Sequence, residues 1–325
     1  MSVMNVRRLI PAAALAGAVA LGATALTACS GASAAGDKDG KLAVTASFYP
    51  LQFLAEQIGG DHVDVSSLTK PGVEPHDLEI TPRQTGRLDR SDVVLYLKSL
   101  QPAVDKAVAQ SQVKTKVDAA TLTKMEVHHL VGEEDHDHGH GEEGHDHGHG
   151  EAGEDPHVWL DPVKYAEIAK GIGKAFAAAD PAHAPDYEKN TTALTGKLTA
   201  LDAEYRNGLE NTAGKTFITT HSAFGYLAER YGLDQEGIAG VDPESEPSPA
   251  RMKELQALAK KDKVSTVFFE TLASPKLADT LAGDLGLRTD VLDPLEGITD
   301  TSQGKDYFEV MRSNLKNLVK ALGAK

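Results

Sequence analysis

The chain has 325 residues, of which 41% are hydrophobic and 25% are charged, and its formal net charge at pH 7 is -15. This composition excludes a globally disordered chain and a protein with many membrane spans, and the length corresponds to about two domains of 100–200 residues. The acidic balance disfavours nucleic acid and anionic lipid headgroups as partners and suits a cationic ligand.

The first thirty residues have the features of an export signal. Arg7 and Arg8 precede a stretch without acidic residues that extends to about Ala28, which predicts a signal peptide. The stretch ends in LTAC, from Leu26 to Cys29, which resembles a bacterial lipobox, where the cysteine is lipidated and becomes the first mature residue. Cys29 is the only cysteine and cannot form a disulfide within the chain. We therefore expect an extracytoplasmic protein, attached to the outer face of the cell membrane by lipid on Cys29.

The first folded segment has the pattern of an α/β unit. Residues 30–40 are small and polar, which predicts a flexible tether. Runs at 42–50, 63–68 and 93–97 are apolar or β-branched and predict buried strands. Between the first two runs, LQFLAEQIGG has helical periodicity and ends in two glycines. The order strand, helix, strand predicts a parallel sheet covered by helices.

The second half repeats this pattern and predicts a second α/β unit. Its segments are a strand at 216–221, a helix at 223–231, a strand at 264–270, a helix at 275–285 and a strand at 288–294.

A long amphipathic stretch lies between the two units. From Asp186 to Leu209 the apolar residues recur at helical spacings without an internal proline, which predicts one helix joining the lobes. The expected fold is therefore α/β with two lobes, each a parallel sheet flanked by helices, joined by this long helix. The predicted organisation is a signal peptide (1–28), a lipidated tether (29–40), an N-terminal lobe (41–180) with a disordered histidine-rich loop (128–154), a connecting helix (181–213) and a C-terminal lobe (214–325).

The histidine-rich loop contains a short repeat, HDHGHGE, at 136–142 and 145–151. Its glycine and charge content predicts an exposed, disordered segment. Imidazoles and carboxylates at alternating positions suit zinc, copper or nickel, so we expect weak, interchangeable metal binding; a solvated spacer without a function is the alternative. The accessory histidines are His136, His138, His140, His145, His147 and His149.

Three other histidines follow predicted strand ends or lie in adjoining proline-bounded loops. They are His76 in PGVEPHDLEITP, His157 in EDPHVWLDP and His221 in ITTHSAFGYLAERYG. Ligands of open parallel sheets bind outside the carboxyl ends of the strands, so these side chains can converge. His62 and His183 lack that placement, and we interpret both as surface residues.

The succession of PGVEPHD, a histidine-rich loop, DPHVWLDP, THSAFGYLAERYG after a strand, and DPL after another strand resembles the zinc-type solute-binding lipoproteins of bacterial ABC importers. The resemblance extends over essentially the whole mature chain. It implies a monomer with a metal site in the cleft between the lobes, which binds zinc as its transported ligand and delivers it to an ABC transporter membrane permease.

The resemblance also implies a ligand set. His76, His157 and His221 would be the imidazole ligands, and Asp293 in the DPL turn would be the fourth ligand. Three nitrogens and one carboxylate form a closed four-coordinate site that zinc accepts. Glu74 and Glu270 are rival carboxylates, although either could instead orient a ligand.

Three alternatives remain open from the sequence. Relatives that carry manganese have a carboxylate where this chain has His221, so histidine favours zinc, while ligand softness alone does not exclude copper or nickel. A zinc hydrolase would need an open coordination position and a general base, and the sequence contains no H-E-x-x-H pattern, so we expect no enzyme activity. A surface adhesin would expose large apolar patches.

Overall fold

The computed structural model describes residues 40–128 and 154–323. The predictions of a signal peptide, of lipidation at Cys29 and of metal binding by His136, His138, His140, His145, His147 and His149 concern residues outside these ranges. No helix among the described residues is long and apolar enough to span a membrane.

The first lobe is built on a four-stranded parallel sheet. The strands are buried where the sequence is apolar: Val44 and Ala46 of the first strand and Val93, Val94 and Leu95 of the third are at most 1% exposed. The elements are β1 (Leu42–Ala46), α1 (Tyr49–Gly59), β2 (Val63–Ser67), α2 (Pro82–Leu88), β3 (Val93–Tyr96), α3 (Pro102–Gln110) and β4 (Thr115–Asp118), and the strand order is β2-β1-β3-β4.

Two long helices follow the first sheet. Helix α4 (Pro162–Ala179) begins at Asp161, whose carboxylate accepts hydrogen bonds from the amides of Val163 and Lys164, and this satisfies donors that a helix start leaves free. Helix α5 (Ala184–Leu209) packs along α4 and also against α1. The predicted long helix is therefore present.

The second lobe repeats the topology of the first. Its elements are β5 (Thr216–Thr219), α6 (Gly225–Tyr231), β6 (Asp234–Gly237), α7 (Pro249–Lys261), β7 (Thr266–Phe269), α8 (Lys276–Leu285), β8 (Arg288–Val291) and α9 (Tyr307–Leu322), and the parallel strands have the order β6-β5-β7-β8.

In each sheet the second strand in the sequence lies on one side of the first and the third lies on the other side. The strand order therefore reverses between β1 and β3 in one lobe and between β5 and β7 in the other. In open α/β sheets this switch point, outside the carboxyl ends of the strands, is where ligands bind. The fold therefore supplies one such edge from each lobe.

One hydrophobic core contains residues of both lobes and of α4 and α5. Helix α9 comes last in the chain, yet its Tyr307 stacks on Phe53 of α1 with ring centroids 5.6 Å apart. The Tyr205 hydroxyl of α5 donates to the Met311 carbonyl at 2.6 Å. The lobes thus share buried surface, in addition to the helix that connects them.

The predicted fold, two parallel α/β lobes joined by a long helix, is confirmed. Strands β4 and β6 are additional to the predicted ones. Their sequences, TKVD and DQEG, are polar because each lies at an edge of its sheet, where apolar patterning is weakest.

Candidate metal centre

Four side chains that can ligate a metal meet between the lobes. His76, His157, His221 and Glu296 each offer one ligand atom, and these atoms all lie within 4.8 Å of one another. His76 lies in the loop after β2, His157 immediately before the short helix at 158–160, His221 two residues after β5, and Glu296 in the loop after β8. Each sheet thus contributes residues that follow the carboxyl ends of its strands.

The ligand atoms are arranged around a small central space. Glu296 Oε1 lies 3.3 Å from His76 Nε2, 3.2 Å from His157 Nε2 and 3.5 Å from His221 Nε2. His157 Nε2 and His221 Nε2 are 3.3 Å apart. Ligands at about 2.0–2.1 Å from a tetrahedral zinc ion are separated by about 3.3–3.4 Å. Four of the six separations therefore match those of a tetrahedral zinc site, and the two between His76 and the other histidines are within 4.8 Å.

Buried carboxylates hold two of the rings in one orientation. His157 Nδ1 lies 2.7 Å from Asp155 Oδ1, and His221 Nδ1 lies 2.6 Å from Glu270 Oε1. An ionised carboxylate only accepts hydrogen bonds, so each Nδ1 carries the proton and donates it. In the neutral rings, the Nε2 lone pairs then face Glu296. Such lone pairs and a carboxylate in one dry space require a cation, either a metal ion or a proton.

Nearby carboxylates favour the protonated form of two of the imidazoles, those of His157 and His221. Burial disfavours the charged ring, but Glu270 and Glu296 outweigh it and raise the pKa of His221 well above its usual value. Burial likewise opposes protonation of His157, but the effect of Asp155 is larger and raises the pKa of His157. Burial alone would raise the pKa of Glu296, but hydrogen bonds from the histidines hold that pKa well below its ordinary range. The group thus favours an anionic carboxylate next to a cation.

Glu296 is fully buried and keeps one oxygen free. Its Oε2 has no hydrogen-bond partner among the described residues, although a buried carboxylate oxygen is normally paired. His76 is the most open member of the group, with 12% of its side chain exposed, while Glu296 and His157 are at 0%. A metal ion at this point would be almost completely enclosed by protein.

The turn that places Glu296 is held by Asp293. Asp293 Oδ1 accepts from the Leu295 amide at 2.8 Å, and Oδ2 accepts from Thr271 Oγ1 at 2.9 Å. The Asn314 side chain of α9 accepts from the Asp293 amide and donates to the Asp293 carbonyl. The carboxylate of Asp293 is thus engaged by its own turn and by Thr271, and the structure does not bring it into the central group. Its predicted place is taken by Glu296.

The same turn is fastened to the first lobe. Trp159 Nε1 donates to the Pro294 carbonyl at 2.7 Å, and the Tyr307 hydroxyl donates to the Trp159 carbonyl at 2.7 Å. Leu295 has φ of 60°, a left-handed conformation that is costly for a residue with a side chain. Because the flanking contacts hold this conformation, Glu296 is directed towards the histidines.

Glu74 and Glu270, the other candidate carboxylates, contact the histidines without joining the central group. Glu74 Oε1 accepts from the backbone amide of His76 at 3.1 Å, and burial together with Glu296 raises the pKa of Glu74 to about 9. Glu270 accepts from His221 Nδ1 and from Thr220 Oγ1. Both residues therefore orient a histidine.

His62 and His183 lie away from this group. Their rings stack at 4.0 Å, and they contact Asp186 and Asp180 respectively. With 31% and 37% of their side chains exposed, they are partly exposed surface residues.

The sequence motifs do not single out Glu296 or Asp155. Both are acidic residues next to a predicted ligand motif, Glu296 three residues after Asp293 and Asp155 two residues before His157. That proximity is the available signal, but it does not decide which carboxylate faces the metal and which faces Nδ1.

Comparison with known proteins matches this chain to zinc-uptake proteins. The family model described as "Zinc-uptake complex component A periplasmic" (ZnuA) matches residues 44–321. The chain is 38% identical over 302 residues to the zinc-binding lipoprotein AdcA of Streptococcus pneumoniae, covering 90% of this chain and 58% of that protein. It is 39% identical over 306 residues to the high-affinity zinc uptake system protein ZnuA of Bacillus subtilis, covering 91% and 93%. The chain thus spans less than two thirds of the AdcA protein.

The fold is also found in a solved structure. The laminin-binding protein Lmb of Streptococcus agalactiae, described as a bifunctional protein with adhesin and metal transporting activity, superposes with a TM-score of 0.74 at 30% identity, covering 87% of this chain and 99% of that one.

Proposed function

Since the chain belongs to the ZnuA family of periplasmic zinc-uptake components, we propose that it binds zinc outside the cytoplasm and delivers it to the membrane permease of an ABC importer. The observation that carries the proposal is the convergence of three histidine Nε2 atoms on Glu296 Oε1 at 3.2–3.5 Å. This donor set and spacing suit zinc.

The proposed ligands are His76, His157, His221 and Glu296. We revise the expected fourth ligand from Asp293 to Glu296 because both carboxylate oxygens of Asp293 already accept hydrogen bonds, one from its own turn and one from Thr271. Asp155 and Glu270 orient two of the imidazoles, as carboxylates do around many zinc sites. Glu74 supports His76 through its backbone.

Carriage of metal is favoured over catalysis. Four protein ligands close the coordination sphere of zinc, whereas a hydrolase keeps a position open for water. Three nitrogens disfavour manganese, which prefers oxygen ligands. An adhesin function, as in the name of the Lmb protein, has weaker support, since only four large apolar side chains among the described residues are strongly exposed.

The remaining parts of the proposal rest on the sequence. A lipid on Cys29 would hold the protein at the outer face of the membrane, and the protein would act as a monomer that meets its permease there. The six loop histidines would bind zinc weakly beside the central site.

Calorimetric zinc titration of the mature protein tests the proposal. The unchanged protein is compared with a variant in which His76, His157 and His221 are replaced by alanine and the loop is intact. We expect one tight binding event to disappear while weak events remain, because the ligands of a rigid site are lost and those of the loop are kept. Deletion of residues 133–151 should have the opposite effect and leave the tight event.

The variant His62→Ala serves as control, since His62 is a partly exposed imidazole outside the central group. It should bind zinc as the unchanged protein does. Survival of the tight event in the triple variant, or its loss on deletion of residues 133–151, would place the main site in the loop and refute the proposal.

A further inference from the structure

A second group with metal-ligand chemistry lies beside the central one. Glu126, His128 and Glu229 each offer a ligand atom, and these atoms lie within 4.8 Å of one another. Glu126 and His128 follow the first sheet, and Glu229 is on α6 of the second lobe. This group is more accessible than the central one: the side chain of Glu229 is 62% exposed and that of His128 is 19% exposed.

One buried carboxylate connects the two groups. His128 Nδ1 lies 2.7 Å from Asp155 Oδ2, and His157 Nδ1 lies 2.7 Å from Asp155 Oδ1. Because the ionised carboxylate only accepts, each ring donates from Nδ1 and keeps Nε2 for a ligand. A carboxylate on Nδ1 is the usual support of a zinc-binding histidine.

The position of His128 is built into the fold. The Asp155 amide donates to the Glu126 carbonyl at 2.8 Å, which pairs the two backbone segments. The Tyr226 ring meets the His128 ring edge-on with centroids 4.5 Å apart. A Cβ on Gly225 would come within 2.5 Å of His128 Cγ, so a residue without a side chain is needed there. The ring is therefore seated so that its Nε2 faces Glu229 Oε2 at 3.1 Å.

The charges around this group favour binding of a cation with moderate affinity. The carboxyl groups of Glu126 and Glu229 are close enough for a hydrogen bond, which lowers the pKa of Glu126 to about 2. Two carboxylates and an imidazole within 4.8 Å of one another form an electronegative group that a cation between them would stabilise. Lys124 and Lys164 contact Glu126 Oε1 at 3.4 Å and 3.3 Å, and these ammonium groups compete with a metal ion. Binding here is consequently weaker than at the central group.

We propose that Glu126, His128 and Glu229 form a peripheral zinc site, joined to the central site by the carboxylate of Asp155. One imidazole and two carboxylates are ligands that zinc accepts. The site goes beyond the proposed carrier function, because it gives the protein a second, accessible position for zinc next to the enclosed one. Because the residues of this site come from both lobes, zinc bound there would also link α6 to the segment after β4.

Equilibrium dialysis against zinc alone, followed by elemental analysis of bound metal, tests the proposal. The background is the full mature chain with His136, His138, His140, His145, His147 and His149 changed to asparagine, which removes the repeat histidines as ligands. Two variants on this background, His128→Gln and Glu229→Gln, are compared with the control His62→Gln. Glu229 is largely exposed, so its variant tests the site even if the His128 variant folds poorly.

We expect two equivalents of zinc in the background and in the control, one tight and one weaker. Each test variant should lose the weaker equivalent and keep the tight one. A background that binds only the tight equivalent, or test variants that still bind two, would overturn the peripheral site and leave the carrier proposal intact. A background without a tight equivalent would instead contradict the proposed carrier function.

Discussion

At the scale of single residues, function depends on which carboxylate faces which atom. Asp155 and Glu270 accept from Nδ1 atoms, whereas Glu296 faces the Nε2 atoms. Asp293 lies three residues before Glu296 and holds the turn that presents it. Acidic residues that are close in sequence thus have different roles. The ring nitrogen or backbone amide that each one contacts distinguishes these roles.

Replacing Glu296 by glutamine and Asp293 by asparagine tests which residue is a metal ligand and which one only shapes the turn. Glu296→Gln should weaken tight zinc binding by more than the roughly 10–100-fold typical of residues that only orient a ligand. Asp293→Asn removes the same charge from the same turn, and we expect at most about a tenfold effect because an amide can still accept from the Leu295 amide. Competition titration with a chromophoric zinc chelator measures both. A larger loss for Asp293→Asn would restore Asp293 as the fourth ligand.

At the scale of elements, helix α5 connects the two lobes and also forms part of their common core. Its buried side chains recur along one face, as the spacing of Leu194, Leu198, Leu201, Tyr205 and Leu209 predicts. Helix α9 packs against α5 and against α1, so the last helix of the chain stabilises the first lobe. Unfolding of one lobe would expose apolar surface of the other, and the lobes are expected to unfold together.

The variant Leu198→Ala tests this cooperativity. Leu198 is fully buried, and the cavity left by alanine should lower the free energy of unfolding by about 2–5 kcal/mol. The control Lys197→Ala, on the exposed face of the same helix, should change it by less than about 0.5 kcal/mol. Urea unfolding followed by circular dichroism and by Trp159 fluorescence should show one coincident transition in both variants. Two transitions, with only one of them shifted by Leu198→Ala, would mean that the lobes unfold independently.

At the scale of the whole molecule, the metal-free protein and the zinc complex respond to pH in opposite directions. The pKa values of His157 and His221 are raised in the folded protein, above an unfolded value of about 6.5. Their contribution to metal-free stability is therefore complete below the unfolded pKa and is lost as pH rises through the folded values. Zinc, in contrast, requires the deprotonated rings.

Zinc affinity should consequently fall as pH is lowered, by up to about tenfold per pH unit for each proton that zinc displaces. Calorimetric titration at several pH values between about 8 and 6, in two buffers of different ionisation enthalpy, measures both affinity and protons released. We expect proton release at neutral pH. Constant affinity over this range without proton release would show that the rings are already neutral in the metal-free protein.

The sequence by itself determined the lobes, the long helix and the three histidines. Buried strands and amphipathic helices leave periodic apolar patterns because burial acts on each element separately, and histidines after strand ends converge because parallel strands end at a common edge. The edge strands β4 and β6 were not predicted, since their sequences, TKVD and DQEG, contain no apolar run.

The tertiary structure alone decided the fourth member of the central group and the role of each nearby acid. Glu296 meets His76 across 220 residues of chain, and Asp155 meets His128 across 27. Nothing in the local sequence distinguishes Glu296 from Asp293, because the difference lies in the direction of a turn held by Trp159, Thr271 and Asn314. Such directions follow from packing between distant segments, and they determine which oxygen atom faces the three histidines.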